Sequence, residues 1–336
     1  MIKIGVAGAG HLGKIHIKLL QTIPQFELCG FYDANAATAK EVVEKFQLKA
    51  FPTYEAMLEV CEAVDIVTPT VLHYDLAIQA IEAGKHVFVE KPITDRLDSA
   101  QALIKAAKAK NVKAQVGHVE RFNPAFLSLK AQYSDINPLF IESHRLAIFN
   151  PRGTDVSVVM DLMIHDIDII CHLVNAPLES LHATGVSLVS SEPDIANVRL
   201  AFANNCIANL TASRLSAKNM RKMRIFSPNA YYGVDFLSKQ TEVFTLSDMP
   251  QDNTFTQEID LGDAGKRYLR MEMPPVEEVN AIQYELQHFA NSIEKNTPTA
   301  VSFEEATRAL AIALQINKAM DEHRQNVLKN GTYAQK

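Results

Sequence analysis

Two short stretches of this chain carry side chains able to move a proton. The first is Glu90-Lys91-Pro92, which closes the apolar run His86–Val89. A lysine held at a strand end could hydrogen-bond a substrate hydroxyl or the carbonyl it becomes. Desolvation and a neighbouring positive charge lower an ammonium's pKa, so such a lysine can share in proton transfer. Pro92 fixes the turn and is compatible with a cis peptide bond. The plain alternative is a surface lysine paired with Glu90. The second stretch is DVSVVMDLMIHDIDIICHLV, residues 155–174, read as one helix. Asp161, His165, Asp168 and His172 stand at i, i+4, i+7 and i+11 and so share a face. His165 can accept a proton near neutral pH, and Asp161, one turn earlier, can orient the ring or bind a substrate hydroxyl. Three readings are open: a catalytic acid/base pair, a zinc site, or a buried polar seam in an otherwise apolar helix. No H-E-x-x-H and no further ligand cluster accompanies them, so no metal is expected.

Three more polar side chains sit beside turn formers: Arg121 and Asn123 in Phe122-Asn123-Pro124, and Arg152 in Asn150-Pro151-Arg152-Gly153. They could bind a phosphate or a sugar, and an arginine fork suits phosphate because it donates bidentately. Helix capping and surface ion pairing are the simpler alternatives for each.

The elements that must position these groups begin at the N-terminus. A strand pattern (Ile2, Ile4, Val6) runs into Gly8, Gly10 and Gly13, a G-x-G-x-x-G spacing. A helical pattern follows (Leu12, Ile15, Leu19, Leu20), then a second strand ending in Asp33. That carboxylate lies about 20 positions past the last motif glycine, as in a dinucleotide-binding βαβ unit. Gly8 allows the tight turn, Gly10 lets the backbone approach a pyrophosphate, and Gly13 lets helix and strand pack closely. The helix N-terminus offers N–H groups and its dipole to the phosphates. A carboxylate at position 33 accepts ribose hydroxyls and repels a 2′-phosphate. Ala34 and Asn35 follow, with no Arg to welcome that phosphate, so NAD is expected rather than NADP.

Strand and helix patterns alternate through the first 118 residues, which implies a parallel sheet with helices on both faces. Ligands in such sheets bind at the carboxyl ends of the strands. TPTVLH (Thr68–His73), EKP (Glu90–Pro92) and GHVERFN (Gly117–Asn123) all fall at such ends. Beyond them, successive strand patterns joined by turn residues predict an open, mostly antiparallel sheet. Residues 249–275 lack periodicity and read as loop. Residues 276–295 and 303–323 read as two amphipathic helices. The expected organisation is thus an α/β chain: a doubly wound Rossmann domain over 1–118 and a second α/β domain over 119–336.

Bulk properties agree with a globular enzyme. The chain has 336 residues, 47% apolar types, 21% charged types, no Trp and a net charge of −6. No basic run appears, so nucleic acid is not an expected partner. Cys29, Cys61, Cys171 and Cys206 are scattered without C-x-x-C, and Cys29 and Cys171 fall in apolar patterns that predict buried thiols. No leader-like segment and no 18-residue apolar span is present, which predicts a cytoplasmic protein without membrane contact.

GAGHLG, TPTVLH, EKP and D-x-x-x-H-x-x-D (Asp161, His165, Asp168), in this order and at these separations, resemble the Gfo/Idh/MocA oxidoreductases over essentially the whole chain. The resemblance implies a Rossmann domain, a second domain whose open sheet face makes a homodimer or homotetramer interface, and C-terminal helices that return to the first domain. It implies that Lys91, Asp161 and His165 are catalytic. It also implies that Gly8, Gly10, Gly13, Asp33, Thr68 and Glu90 contact the cofactor, and the rest of those turns (His11, Leu12, Pro69, Thr70, His73), with Lys91, are candidates alongside them. Thr70 stands where the family often has Asn. VERFNPAF and FNPRGTDVSVVMDLMIHDID resemble a narrower group, the UDP-N-acetylglucosamine 3-dehydrogenases and similar nucleotide-sugar oxidases. Arg121, Asn123 and Arg152 then join Lys91, Asp161 and His165 as substrate-side candidates. The implied activity is NAD-dependent hydride transfer from a sugar hydroxyl carbon. The alternatives are a free-sugar, inositol or trans-dihydrodiol dehydrogenase and, from another class, a non-catalytic dinucleotide-binding regulator.

Overall fold

The computed structural model describes residues 1–151, 153–154, 156–249 and 256–329. The chain divides into two compact units, 1–122 with 279–311, and 123–278 with the residues from 312 onward.

The first unit holds a parallel sheet in the order β2-β1-β3-β4-β5. Its strands are β1 (Ile2–Ala7), β2 (Phe26–Tyr32), β3 (Ala63–Ile66), β4 (His86–Glu90) and β5 (Ala114–Gly117). The helices between them are α1 (His11–Leu20), α2 (Ala36–Phe46), α3 (Tyr54–Leu58), α4 (His73–Glu82) and α5 (Leu97–Lys110). Every residue of β3 is buried, as a strand covered on both faces requires. In α1, Gly13, His16, Ile17 and Leu20 are the buried residues, the stripe that a helix lays on a sheet. Asn35 starts α2 by accepting from the N–H groups of Ala37 and Thr38. The core joins Ile4, Val6, Phe31 and Phe88 to Leu286 and Phe289 of a late helix, α8 (Ala281–Glu294). Strand order reverses at β1, so the carboxyl ends of β1 and β3 form the switch point where this topology binds ligands.

The second unit is built on a nine-stranded sheet. Its helices are α6 (Pro124–Gln132) and α7 (Ile164–Leu173), and its strands in chain order are β6 (Phe140–Leu146), β7 (Leu178–Val186), β8 (Ile195–Phe202), β9 (Ile207–Ser213), β10 (Met220–Ser227), β11 (Ala230–Asp235), β12 (Gln240–Ser247), β13 (Thr256–Asp260) and β14 (Lys266–Glu272). The order across the sheet is β13-β14-β12-β11-β10-β6-β9-β8-β7, and all neighbours are antiparallel except β6 and β9. α6 packs on β11 and β12, and α7 on β6. Alternation along β10 buries Met223 and Ile225 and leaves Lys222, Arg224 and Phe226 exposed. A last helix, α9, runs Phe303–Lys329. No helix among the described residues is long and apolar enough to cross a membrane.

Three expectations are corrected. Residues 249–275 contain the edge hairpin β13–β14, which carries no buried residue to mark it. The helix expected over 155–174 begins later: residues 159–163 form a π-turn, the regular α-helix starts at Ile164, and Asp155 lies outside the described residues. Cys171 is buried, but Cys29 is half-exposed.

Candidate functional site

In the first unit the glycine turn has the shape a dinucleotide needs. Gly8 has φ +93°, and a Cβ there would lie 2.7 Å from the Val67 carbonyl oxygen. A Cβ on Gly13 would lie 2.1 Å from the Gly8 carbonyl oxygen, so helix and strand can meet only without one. At Gly10 a Cβ would face open space. The constraint there is absent from the protein itself, which suits a position kept clear for a ligand. Gly10 starts α1 with no side-chain cap, leaving the first-turn N–H groups, those of His11 and Leu12 included, directed out of the helix end. Asp33 accepts from Ala9 N at 2.7 Å and from Asn35 N at 2.8 Å, tying the glycine turn to the end of β2. A carboxylate has about four acceptor directions, so two remain for ribose hydroxyls. The residues present therefore fit NAD.

The Thr68–His73 and Glu90–Pro92 turns are joined by one side chain. His73 is buried, with Nδ1 2.8 Å from the Pro92 carbonyl oxygen and Nε2 2.9 Å from that of Thr68. Burial holds its pKa below the usual histidine value, against the pull of both carbonyls. Thr68, Pro69 and Thr70 thus stand on a turn clasped to the Lys91-Pro92 turn, whose peptide bond is cis. Glu90 ends β4 opposite Gly117 of β5. One of its carboxylate oxygens accepts from Lys91 N at 3.2 Å. The other lies 3.3 Å from His16 Nε2, and His16 Nδ1 lies 2.8 Å from Asp65 Oδ2. A Cβ on residue 117 would sit 2.7 Å from that second Glu90 oxygen, so the bare glycine makes room for the carboxylate. His16 and Asp65 were not singled out in the sequence; their only signal there is a polar residue on a buried helix stripe and another in an all-buried strand. Arg121, also in this unit, is buried and pairs with Glu305 at 3.3 Å.

In the second unit Asp161 lies in the π-turn and His165 one turn on, in α7. π-turns recur at functional sites because the extra residue re-aims side chains. Met160 and Asp161 both donate their N–H to the Ser157 carbonyl oxygen at 3.1 Å. Asp161 and His165 are half-buried, Asp168 is buried and His172 exposed; His165, Asp168 and His172 keep α-helical spacing within α7, while the π-turn shifts Asp161 relative to them. Asp161 lines a pocket of about 630 Å³ with Ala147–Asn150, Gly153, Leu162, Arg214 and Asn219. Gly153, with φ +76°, comes close enough that a Cβ would lie 3.3 Å from Asp161 Oδ2. Arg214 holds that loop by donating to the carbonyl oxygens of Gly153 at 2.8 Å and Val156 at 2.6 Å. Behind it, Asp194 accepts from Leu188 N, Val189 N and Ser190 N, which draws its pKa down to about 2 against the effect of burial. Arg145 of β6 grips Asp166 of α7 with two bonds of 2.9 Å, fixing the residue next to His165. Asn123 caps α6 by accepting from Ala125 N and donates to the Phe236 carbonyl oxygen. Arg152 lies outside the described residues.

Similarity to known proteins spans both units. Residues 2–118 match the Gfo/Idh/MocA oxidoreductase family, NAD-binding Rossmann fold, and residues 128–231 match the Gfo/Idh/MocA C-terminal domain. The chain is 34% identical over 325 residues to UDP-N-acetylglucosamine 3-dehydrogenase from Acidithiobacillus ferrooxidans, covering 95% of this chain and 97% of that one. It is 27% identical to myo-inositol 2-dehydrogenase from Thermotoga maritima, covering 96% and 97%. A solved structure of the Acidithiobacillus enzyme superposes with a TM-score of 0.86, covering 96% of this chain and 98% of that one. Levoglucosan dehydrogenase with NADH and levoglucosan, at 19% identity, shares the fold with a TM-score of 0.81 over 96% and 97%.

Proposed function

The chain belongs to the Gfo/Idh/MocA oxidoreductase family, and on that premise we propose that it is an NAD-dependent dehydrogenase that oxidises a ring hydroxyl of a nucleotide sugar of the UDP-N-acetylglucosamine type. The observation that carries the substrate class is the 34% identity to UDP-N-acetylglucosamine 3-dehydrogenase over 95% of the chain. Bound NAD supplies the hydride acceptor. The protein supplies the rest. Gly8, Gly10, Gly13 and the α1 N-terminus cradle the pyrophosphate, and Asp33 takes the ribose hydroxyls and selects NAD over NADP. Lys91 donates to the substrate oxygen and stabilises it as its proton leaves. His165 receives that proton, and Asp161 orients the hydroxyl or the imidazole. Pocket volume, the π-turn and the Arg214-held loop support the assignment of Asp161.

The same reading includes a homo-oligomer. Phe140, Phe226, Tyr231, Phe244 and Met271 are consecutive cross-strand partners over five strands, a row of rings and one thioether at least partly open to solvent. A contiguous apolar row of this kind is the type of surface that a second copy covers.

The test is the absorbance of reduced nicotinamide with protein, NAD⁺ and UDP-N-acetylglucosamine, then with myo-inositol and a panel of free sugars. Turnover of the nucleotide sugar that is lost in Lys91→Met, with NAD⁺ still bound, is the expected result. Turnover of a polyol alone keeps the mechanism and replaces the substrate, a reading that the full-length match to an inositol dehydrogenase favours. Full activity in Lys91→Met removes Lys91 from the chemistry.

A further inference from the structure

We propose that His16 and Asp65 are positioning residues that hold the Glu90 carboxylate, and through it the Lys91 backbone, at the cofactor end of the parallel sheet. The inference rests on reading Glu90 and Lys91 as cofactor-side residues. His16 and Asp65 are both fully buried, and neither belongs to the glycine, TPT or EKP motifs. His16 stands between two carboxylates, 2.8 Å from Asp65 and 3.3 Å from Glu90. The Asp65 contact is a hydrogen bond, whereas Nε2 faces Glu90 at ion-pair distance without one, so a charged ring attracts both carboxylates. Burial opposes that charge, but Asp65 and Glu90 outweigh it and keep the His16 pKa well above the ordinary value. The ring has little freedom to turn. Phe88 meets it edge-on with centroids 6.1 Å apart, and a rotated ring would present carbon to both acceptors. Glu90 is then limited on three sides: His16 at one oxygen, the Lys91 N–H at the other, and the bare backbone of Gly117 beneath.

Stability alone does not account for this arrangement. A buried charged cluster is often no more stable than apolar residues of the same volume. What the cluster adds is orientation: a carboxylate confined on three sides, placed one residue before Lys91. Asp65 fixes the imidazole, the imidazole fixes Glu90, and Glu90 receives the Lys91 N–H.

The experiment is a double-mutant cycle read by NAD⁺ and NADH binding, which needs no sugar. His16→Gln with Asp65→Asn makes the His16–Asp65 pair neutral while keeping polar partners. That variant should unfold near the native temperature yet bind NADH about tenfold to a hundredfold more weakly, the scale of one charge-assisted hydrogen bond. In a Glu90→Gln background the same two substitutions should change affinity by less than about twofold, because the effect passes through Glu90. Equal losses in both backgrounds, or native affinity in the neutral variant, would overturn the proposal. Should the neutral variant not fold, imidazole NMR on the native chain and on Glu90→Gln decides. His16 should keep both ring protons well above the ordinary histidine midpoint in the native protein and lose one at lower pH in Glu90→Gln; an ordinary histidine midpoint in both overturns the proposal. Failure of the dehydrogenase reading shows instead as no turnover by the native protein with NAD⁺ and any sugar of the panel, independently of the binding cycle.

Discussion

Replacing Arg145 with Met should be among the most damaging single changes in the second unit. Arg145 and Asp166 are each about 3% exposed and share two bonds of 2.9 Å. The guanidinium also lies 5.9 Å from the Phe236 ring centroid, so it has an aromatic wall as well as a partner. Met fills much of the same volume, which keeps the cavity cost small. The Asp166 carboxylate, however, is left buried without its counter-charge. Removing one member of a buried pair costs about 3–5 kcal/mol. With a denaturant slope of about 3 kcal/mol per molar for a unit of this size, the urea midpoint should fall by about 1 M or more. The double variant Arg145→Met with Asp166→Leu removes both charges and should recover most of that loss, since an apolar pair of similar volume is often as stable as the ion pair. The assay is urea unfolding followed by circular dichroism on all four members of the cycle. A single-variant loss below about 1 kcal/mol, or a double variant as weak as Arg145→Met, would refute the reasoning, because either would mean that Asp166 is not left as an uncompensated buried charge.

Other outcomes follow from the same geometry. Gly13→Ala should abolish NADH fluorescence enhancement, because its Cβ would lie 2.1 Å from the Gly8 carbonyl oxygen and must force α1 away from the turn. Asp33→Ala should weaken NADH binding and narrow or reverse the preference over NADPH, by removing both the ribose acceptor and the repulsion of a 2′-phosphate; unchanged selectivity in a titration would count against Asp33. Asp194 has a folded pKa drawn down to about 2 from a usual 3.8, so the stability it contributes is full above about pH 4 and is lost as pH falls toward 2. Melting temperatures of native and Asp194→Asn proteins should therefore converge over that window, and parallel curves would contradict it.

The parallel sheet was legible in the sequence because its signals are local. Strands buried on both faces read as short apolar runs, as β3 does, and the turn between β1 and α1 demands glycines whose spacing shows directly. Asp33, Glu90 and Lys91 could be picked out for the same reason: Glu90 ends a strand, Asp33 and Lys91 each follow the last residue of one, and strand ends in this topology face ligands. The edge hairpin β13–β14 was not legible, since a strand with solvent on both sides has no reason to alternate polar and apolar residues. Asp161 and His165 could be named from residue type, but their aim could not. Four residues at α-helical spacing share a face only while the helix stays α, and the π-turn at 159–163 takes Asp161 out of that spacing while His165, Asp168 and His172 keep it. Asn123 shows how one residue type serves two ends: its side chain is committed to a helix cap and to Phe236.

What the sequence determined alone was therefore the family of the fold, the dinucleotide turn and the chemical types available. Tertiary structure decided which of those groups are held still. Asp65 is 49 residues from His16, Gly117 is 27 from Glu90, and Arg145 is 21 from Asp166, and no periodicity links such pairs. They meet because parallel strands (Glu90 and Gly117) and helices packed on strands (His16 on Asp65, Asp166 on Arg145) bring distant residues together, and because burial leaves a charged group no partner but another protein group.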